Sequence, residues 1–573
     1  MNQIRTILLW ATLGALQTVH AQTAPKKITF TGAARSYFFG DKWDQETAVP
    51  DTVTIPLSHS GHVLADLGMH IRPNPNMEIA GMVRVRNDYG GFWGSGVSFD
   101  VRQLMVKGVI GGVVRYQLGD INYRMTKFTM WNPDQELMTS APTIFRQQFD
   151  VLNYDHFYDQ ENSWRQQGGA AEWGLVFNRW IKELQFHAVA TRNKASNNSN
   201  VNDRLFTGGN LQLVQSKWLQ LGVNYVNLFD VSGTSRNQTL FHNPVLTGTA
   251  DFNWTHPKFT FHSDVEWGNS KTTLKNDAEA PGKEGNFVEA NASITQPAKG
   301  WKLFGSISKV SVGFNSPGAQ TKRIDFSGQP EAFQRVGNEQ SLRPYSVLDI
   351  MRESAFYNLQ LQPYLMEFAP KYDNITPYGA ATPNRQGFAI GAAWHNASKT
   401  FHAQLQQTMS QETKGEGTLE AREFQRTEAN IQYESNPAKT DIRKWAVQAN
   451  WRMDQTNRSG TEYYRGVDLA TSVGSLGMEF EIFKKLDVLV GWQYIAYQGF
   501  DFTAVRNDYA EIFNFIEYDV DGKEIITAGG LRYRFGERAF LSAQVNLFDI
   551  QDQKQAANDY KVRQLMILYQ INF

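Results

Sequence analysis

The chain ends KVRQLMILYQINF, Lys561 to Phe573, and the reading of this stretch decides the fold. Counting back from the end, Phe573, Ile571, Tyr569, Ile567 and Leu565 occupy every second position. Asn572, Gln570, Leu568, Met566 and Gln564 fall between them. A period of two puts the two sets on opposite faces of a β-strand.

The same period recurs upstream. In Ala539 to Leu547, Ala539, Leu541, Ala543, Val545 and Leu547 alternate with Phe540, Ser542, Gln544 and Asn546. In Trp445 to Met453, Trp445, Val447, Ala449, Trp451 and Met453 alternate with Ala446, Gln448, Asn450 and Arg452. Phe259 to Trp267 repeats the pattern, with Asp264 and Glu266 on its polar face. Read this way, strands lie near 28–39, 62–71, 77–86, 97–110, 113–121, 168–177, 181–193, 205–215, 218–229, 245–255 and 259–268. A further set lies near 286–296, 301–314, 386–396, 400–410, 425–434, 443–453, 470–483, 486–498, 525–535, 539–549 and 561–573. That makes about 22 strands; 20 or 18 follow if weak segments such as 168–177 and 425–434 are not strands.

The connections alternate between short and long. Those near 72–76, 111–112, 178–180, 216–217, 256–258, 297–300, 397–399, 435–442, 484–485 and 536–538 are short, and Gly111-Gly112 is a hairpin signal. The segments near 122–167 and 315–385 are the longest of the others. A meander with strict short–long alternation separates a closed barrel from a two-layer soluble sandwich, whose strands show the same dyad period.

The final strand with its aromatic terminus resembles the closing strand of a bacterial outer-membrane β-barrel. Val97 to Asp120 (VSFDVRQLMVKGVIGGVVRYQLGD) resembles the paired early strands of porin-type barrels. The mature start at Gln22 and the aromatic-rich strands resemble outer-membrane proteins of the Bacteroidota. The resemblance implies an all-β fold, a single transmembrane antiparallel up-and-down barrel with short periplasmic turns and long external loops. It also implies porin-like passive diffusion of small hydrophilic solutes. Leu565, Ile567, Tyr569, Ile571 and Phe573 would then be the assembly signal read by the barrel assembly machinery.

The remaining features agree with export to an envelope. Met1 to Arg5 carries one positive charge, Thr6 to Leu16 is mostly apolar, and Val19-His20-Ala21 fits the cleavage rule for a signal peptide over residues 1–21, leaving 22–573 as the barrel. Mean hydropathy is −0.45, too polar for a helical membrane protein but suited to strands with one lipid-facing side. Lys plus Arg (56) balances Asp plus Glu (57), which gives no reason to expect nucleic acid as a partner. The expected partners are outer-membrane lipid, other envelope proteins or a second copy of the chain. Trp180, Trp218, Trp254, Trp301, Trp445 and Phe483 sit beside short connections, where an interfacial girdle would place them.

Enzymatic chemistry finds little support. Cysteine is absent, which excludes thiolate metal sites and catalytic thiols. No H-E-x-x-H, G-x-S-x-G or phosphate-loop pattern occurs, and no cofactor is expected. Asp519-Val520-Asp521-Gly522-Lys523-Glu524 has too few spaced ligands for a calcium loop and reads as a turn.

The two longest connections are the regions of interest in a wide barrel. Pro142 to Val151 reads as a short helix, and Ser346 to Gln360 as a second, with Ser346 and Asp349 at capping-box spacing. A loop with an apolar face must bury that face, in the lumen or on a partner. By parity the lumen-facing charges are Arg84, Arg86, Asp264, Glu266, Arg452, Glu479, Glu481, Arg532 and Arg534. Both signs occur, so wall-stiffening ion pairs are the expectation over a filter of one sign. The reading is a channel narrowed by inward-folded loops. A non-conducting barrel that scaffolds an envelope assembly is the alternative, with an outer-membrane hydrolase behind it.

Overall fold

The dyad period of the sequence becomes a single antiparallel sheet in which each strand pairs with its chain neighbours. The structure, a computed structural model, describes residues 27–45, 58–89, 97–131, 141–147, 150–151, 165–196, 198–276, 282–319, 370–372, 374–377, 379–435, 443–460, 466–506 and 512–573. The first eleven strands are β1 (Ile28–Gln45), β2 (Ser58–Asn74), β3 (Met77–Asp88), β4 (Val97–Ile110), β5 (Val114–Asn122), β6 (Arg165–Val176), β7 (Glu183–Lys194), β8 (Arg204–Val214), β9 (Leu219–Asp230), β10 (Leu240–His256) and β11 (Phe259–Lys275). The second eleven are β12 (Lys283–Gln296), β13 (Trp301–Val310), β14 (Arg385–His395), β15 (Phe401–Gln411), β16 (Glu423–Glu434), β17 (Trp445–Arg458), β18 (Val467–Phe483), β19 (Leu486–Arg506), β20 (Ile512–Gly536), β21 (Ala539–Asp552) and β22 (Tyr560–Asn572).

The sheet closes on itself. β22 pairs with β21 on one side and with β1 on the other, with Tyr37 opposite Leu568 and Ala33 opposite Asn572. Phe573 adds two backbone bonds to Gly32, its amide donating at 2.9 Å and its carbonyl accepting at 2.9 Å. Closure leaves no strand edge unpaired, the condition a sheet must meet to sit in a bilayer. The fold is a closed 22-stranded antiparallel up-and-down barrel.

The two faces of the wall differ sharply. On β22, Leu565 and Ile567 are exposed on the outside, whereas Gln564, Met566 and Leu568 are buried on the inside. The same holds for Trp451 and Met453 on β17 and for Leu541, Val545 and Leu547 on β21. An exposed apolar surface repeated around a whole barrel is far larger than a soluble monomer tolerates.

Both weak segments are strands, β6 and β16. One expectation is corrected. Asp519 to Glu524 lies inside β20, with Asp521 opposite Gln498 and Gly522 opposite Tyr497. The Asp-Gly turn signal is overridden because β19 and β20 continue past the apolar belt. There the outward side chains of Asp519, Asp521 and Lys523 cost nothing to place in water, and the backbone keeps its ladder. The 435–444 connection is longer than the other turns at its end of the barrel. The signal peptide and the helix expected at Ser346 to Gln360 lie outside the described residues.

Candidate functional site

The barrel interior is the candidate site, and its wall is divided into apolar and polar sectors. Buried apolar side chains recur at inward parity along β18 to β22 and β1, among them Val473, Leu489, Ile526, Phe548 and Met566. They share that face with buried polar groups such as Gln544, Asn546 and Gln564, which hydrogen-bond one another. A second inward apolar patch spans β8 to β13 and includes Phe206, Val226, Phe241, Val245 and Phe287. Inward apolar side chains facing water would be costly, so each patch needs a cover.

The long connections supply it. The segment between β5 and β6 carries Ile144 and Phe145, on a helical turn at residues 143–147, into the first patch together with Ala141 and Val151 to either side. The expected helix at Pro142 to Val151 is thus present in part. The turn sits on Gly477 and Gly491, which face each other in register on β18 and β19. A Cβ on Gly477 would lie 2.1 Å from Pro142 Cβ, and one on Gly491 2.4 Å from Ile144 Cγ2. Only glycine leaves room for the loop at these two positions.

The same connection begins on the other patch. Phe128 stacks on Phe287 with ring centroids 3.8 Å apart, and Met130 is buried beside it. The 311–384 connection joins it there through Phe314 and Ala319. The two loops are tied together: Trp131 N donates to Gly318 O at 2.9 Å, and Ser316 Oγ donates to Phe128 O at 2.7 Å. On its return, the second loop reaches the first patch. Tyr372 Oη donates to Glu524 at 2.8 Å, and Asn374 Nδ2 donates to Asp501 at 3.0 Å and Thr456 at 3.2 Å. Lys371 lies 3.3 Å from the Glu524 carboxylate with its ammonium 4.3 Å from the Tyr497 ring centroid.

The nine charges assigned to the lumen by parity take up partners within the wall or on the loops that fold against it. Arg84 is fully buried and donates from Nε and Nη2 to the Asp66 carboxylate at 2.7 Å each. Arg86 Nε donates to Asp88 at 2.7 Å. Arg452 lies 3.2 Å from Asp454 and also donates to the Tyr372 carbonyl. Glu266 accepts from Thr126 Oγ1 at 2.6 Å, and Asp264 lies 3.2 Å from His262 Nε2. Only four of the nine are brought together. Arg532 and Arg534 both donate to Asp487, at 2.9 Å and 2.8 Å, and pair with Glu479 and Glu481 respectively. Asp487, which parity reasoning omitted, is the centre of that group and is buried.

A third sector, β15 to β17, has a different character. Its inward positions hold Gln404, Gln406, Asn430, Gln432, Gln448 and Asn450. Gln404, Gln406, Asn430 and Asn450 line a small cavity of about 60 Å³. Near the short-turn end of β2 to β7, Arg72, Glu78, Lys107, Arg115, Glu172 and His187 line a larger cavity of about 540 Å³. Glu78 pairs there with Arg72 at 3.0 Å, and Glu172 with Arg115 at 2.9 Å.

The loop ends of the barrel carry their own ion pairs. Arg422 contacts Glu412 at 2.9 Å, Glu416 at 3.1 Å and Asp501 at 3.0 Å. Burial pulls its pKa down, but Asp501, Glu412 and Glu416 more than reverse this and hold it above the ordinary value. Hydrogen bonds from Arg192 and the Ser196 amide hold the Asp203 carboxyl below the usual range. Among the described residues no group of His, Asp and Glu is placed to hold a metal ion.

No family model matches the chain. No curated protein sequence matches it either. Among solved structures it is similar to OccK11 (OpdR) of Pseudomonas aeruginosa, with 8% identity, a TM-score of 0.39, and coverage of 96% of this chain and 97% of that one. It is similar to OccK5 (OpdH) of the same organism at 7% identity and TM-score 0.39, over 96% and 99% of the two chains. The translocation pore of the P pilus usher PapC matches at 8% identity and TM-score 0.36, over 94% and 100%. Similarity at this level carries no argument about what the chain does; the barrel stands on its own strand pairing.

Proposed function

We propose that the chain is an outer-membrane channel for the passive diffusion of small hydrophilic solutes, with a pore narrowed by its own loops. The observation that carries this reading is the contrast across the wall. The outer face is a continuous apolar belt, whereas the inner sector on β15 to β17 offers amide donors and acceptors. A wall apolar outside and polar inside suits lipid on one side and water on the other. The two loop-covered patches then act as seats that hold the loops across the bore. Arg84, Arg86, Asp264, Glu266, Arg452, Glu479, Glu481, Arg532 and Arg534 brace the wall through their pairs and tune the field along it. The reading assigns no cofactor.

Leu565, Ile567, Tyr569, Ile571 and Phe573 serve as the assembly signal in this account. Deleting Phe573 removes its two bonds to Gly32 and is expected to leave periplasmic aggregates. Normal insertion of the truncated chain would remove the targeting claim.

A second reading, a non-conducting barrel within an envelope assembly, draws on the same loop packing, since fully seated loops could seal the bore. Planar-bilayer recording of the purified protein separates the two. A channel gives discrete open steps, and shortening the 311–384 connection enlarges them. A silent barrel, before and after that deletion, would favour the scaffold.

A further inference from the structure

The ten short connections all lie at one end of the barrel, and their charge is one-sided. Those at 177–182, 215–218, 257–258 and 297–300 contribute Arg179, Lys182, Lys217, Lys258 and Lys299. Those at 396–400, 435–444, 484–485 and 537–538 contribute Lys399, Arg443, Lys444, Lys484, Lys485 and Arg538. Five and six make eleven cations, against one described carboxylate, Glu537. The whole chain has a formal net charge of −1, so this is a local accumulation and not a trend of composition. At the opposite end the described loops carry both signs, as in Arg422 with Glu412 and Glu416.

These cations also differ from those inside the barrel in having no ion-pair partner among the described residues. All eleven are exposed. Lys485 Nζ donates to the Phe535 carbonyl at 3.2 Å, and the Lys217 ammonium lies 5.8 Å from the Trp218 ring centroid. In the lumen, by contrast, Arg84, Arg426 and Arg532 are held by carboxylates.

A second regularity accompanies the first. Each cationic connection has a large aromatic side chain next to it, at the margin of the apolar belt. Trp180 and Trp218 adjoin Arg179 and Lys217, Trp394 precedes Lys399, and Trp445 follows Lys444. Phe483 and Phe535 lead into Lys484 and Arg538, and both are at least half exposed. Amphipathic rings settle at the boundary between acyl chains and headgroups, and a Lys or Arg one step further out reaches phosphate level.

We infer that the short-turn rim is a collar that binds the phosphate headgroups of anionic phospholipid in the leaflet it meets. The inference rests on the outer belt facing lipid. The collar runs from the β6–β7 turn to the β20–β21 turn, and only the adjacent turns at 75–76 and 111–113 lack a Lys or Arg. A soluble acidic partner would need one compact patch. Charges spread around most of a circumference, each beside its own interfacial aromatic, match many small anionic headgroups in a plane instead.

The test uses the full chain refolded into phosphatidylcholine vesicles containing a trace of spin-labelled phosphatidylglycerol or spin-labelled phosphatidylcholine. The motionally restricted fraction gives the relative association of each lipid with the barrel. The expected result is a preference for phosphatidylglycerol of about fivefold at low salt, falling toward unity in 0.5 M NaCl. A variant combining Lys217→Gln, Lys258→Gln, Lys299→Gln, Lys399→Gln, Lys484→Gln and Lys485→Gln should lose most of it while keeping the heat-modifiable mobility of a folded barrel. Equal association of the two labels with the unaltered protein overturns the collar and leaves the lipid-facing belt intact. So does a preference unchanged in the variant. If neither label is restricted, the belt reading falls together with the collar. Equal association combined with binding of soluble polyglutamate, lost in the variant, would reassign the rim to a soluble acidic partner.

Discussion

Two sectors of the same lumen wall, β18 to β22 with β1 and β15 to β17, obey one dyad rule and yet differ in what their inward faces offer. In the first, a continuous set of inward apolar side chains, Leu489, Ile526, Phe548, Met566 and Leu568, lies beside amides that bond one another, Gln544, Asn546 and Gln564. In the second, the inward positions hold Gln404, Gln406, Asn430, Gln432 and Asn450. The difference follows the loops. Apolar side chains point into the bore where Ile144, Phe145 and Tyr372 cover them. Amides line the sector where no described loop apolar residue packs. Inward parity therefore means two things in one barrel: a seat for a loop, or a surface for solvent.

The contrast can be broken by substitution. The largest effect is expected from Phe145→Ala, which empties a fully buried position of the first seat and weakens loop docking by about 3–5 kcal/mol. Faster amide exchange and protease cleavage across 141–151 would register it, and unchanged protection would count against the seat. Arg84→Ala should cost nearly as much, about 3 kcal/mol or more, because it leaves Asp66 buried without its partner. Urea unfolding in detergent would show this, and Arg84→Met combined with Asp66→Leu should restore most of the loss.

Smaller effects sharpen the comparison. Phe128→Leu removes the stack on Phe287 and should cost about 1 kcal/mol, read as a modest rise in exchange over 125–130. Gln404→Leu in the amide sector should change stability by no more than about 0.5 kcal/mol, because it undoes no loop contact. Its effect belongs to permeation, as a lower conductance for a polar solute. A stability loss from Gln404→Leu larger than that from Phe128→Leu would erase the distinction between sectors.

Much of this architecture was legible in the sequence, and the closing strand shows both how and where legibility stopped. The period of Leu565, Ile567, Tyr569 and Ile571 identified a strand with an apolar outer face. The other face, with Met566 and Leu568, was too apolar for a water-filled bore, and this was the trace left by the loops. It did not say which loop. Residue 145 meets residue 491 across the barrel, and no local pattern records a contact at that separation. Gly477 and Gly491 likewise looked like any strand glycines until Pro142 and Ile144 were placed on them. At Asp519 to Gly522 a local turn signal misled, because strand pairing beyond the apolar belt outweighed it. The charge parity that selected Arg532 and Arg534 passed over Asp487, since its role comes from accepting both guanidinium groups at once.

The account turns on the loops being seated in the lumen by its apolar sectors. Single-channel conductance of the unaltered protein and of Gly491→Leu, recorded side by side in planar bilayers, tests this most directly. The added side chain occupies the space now filled by Ile144 and Phe145. The seated-loop account predicts discrete steps for the unaltered protein and larger steps for the variant, which still runs as a folded barrel. Identical or smaller steps in Gly491→Leu would contradict it.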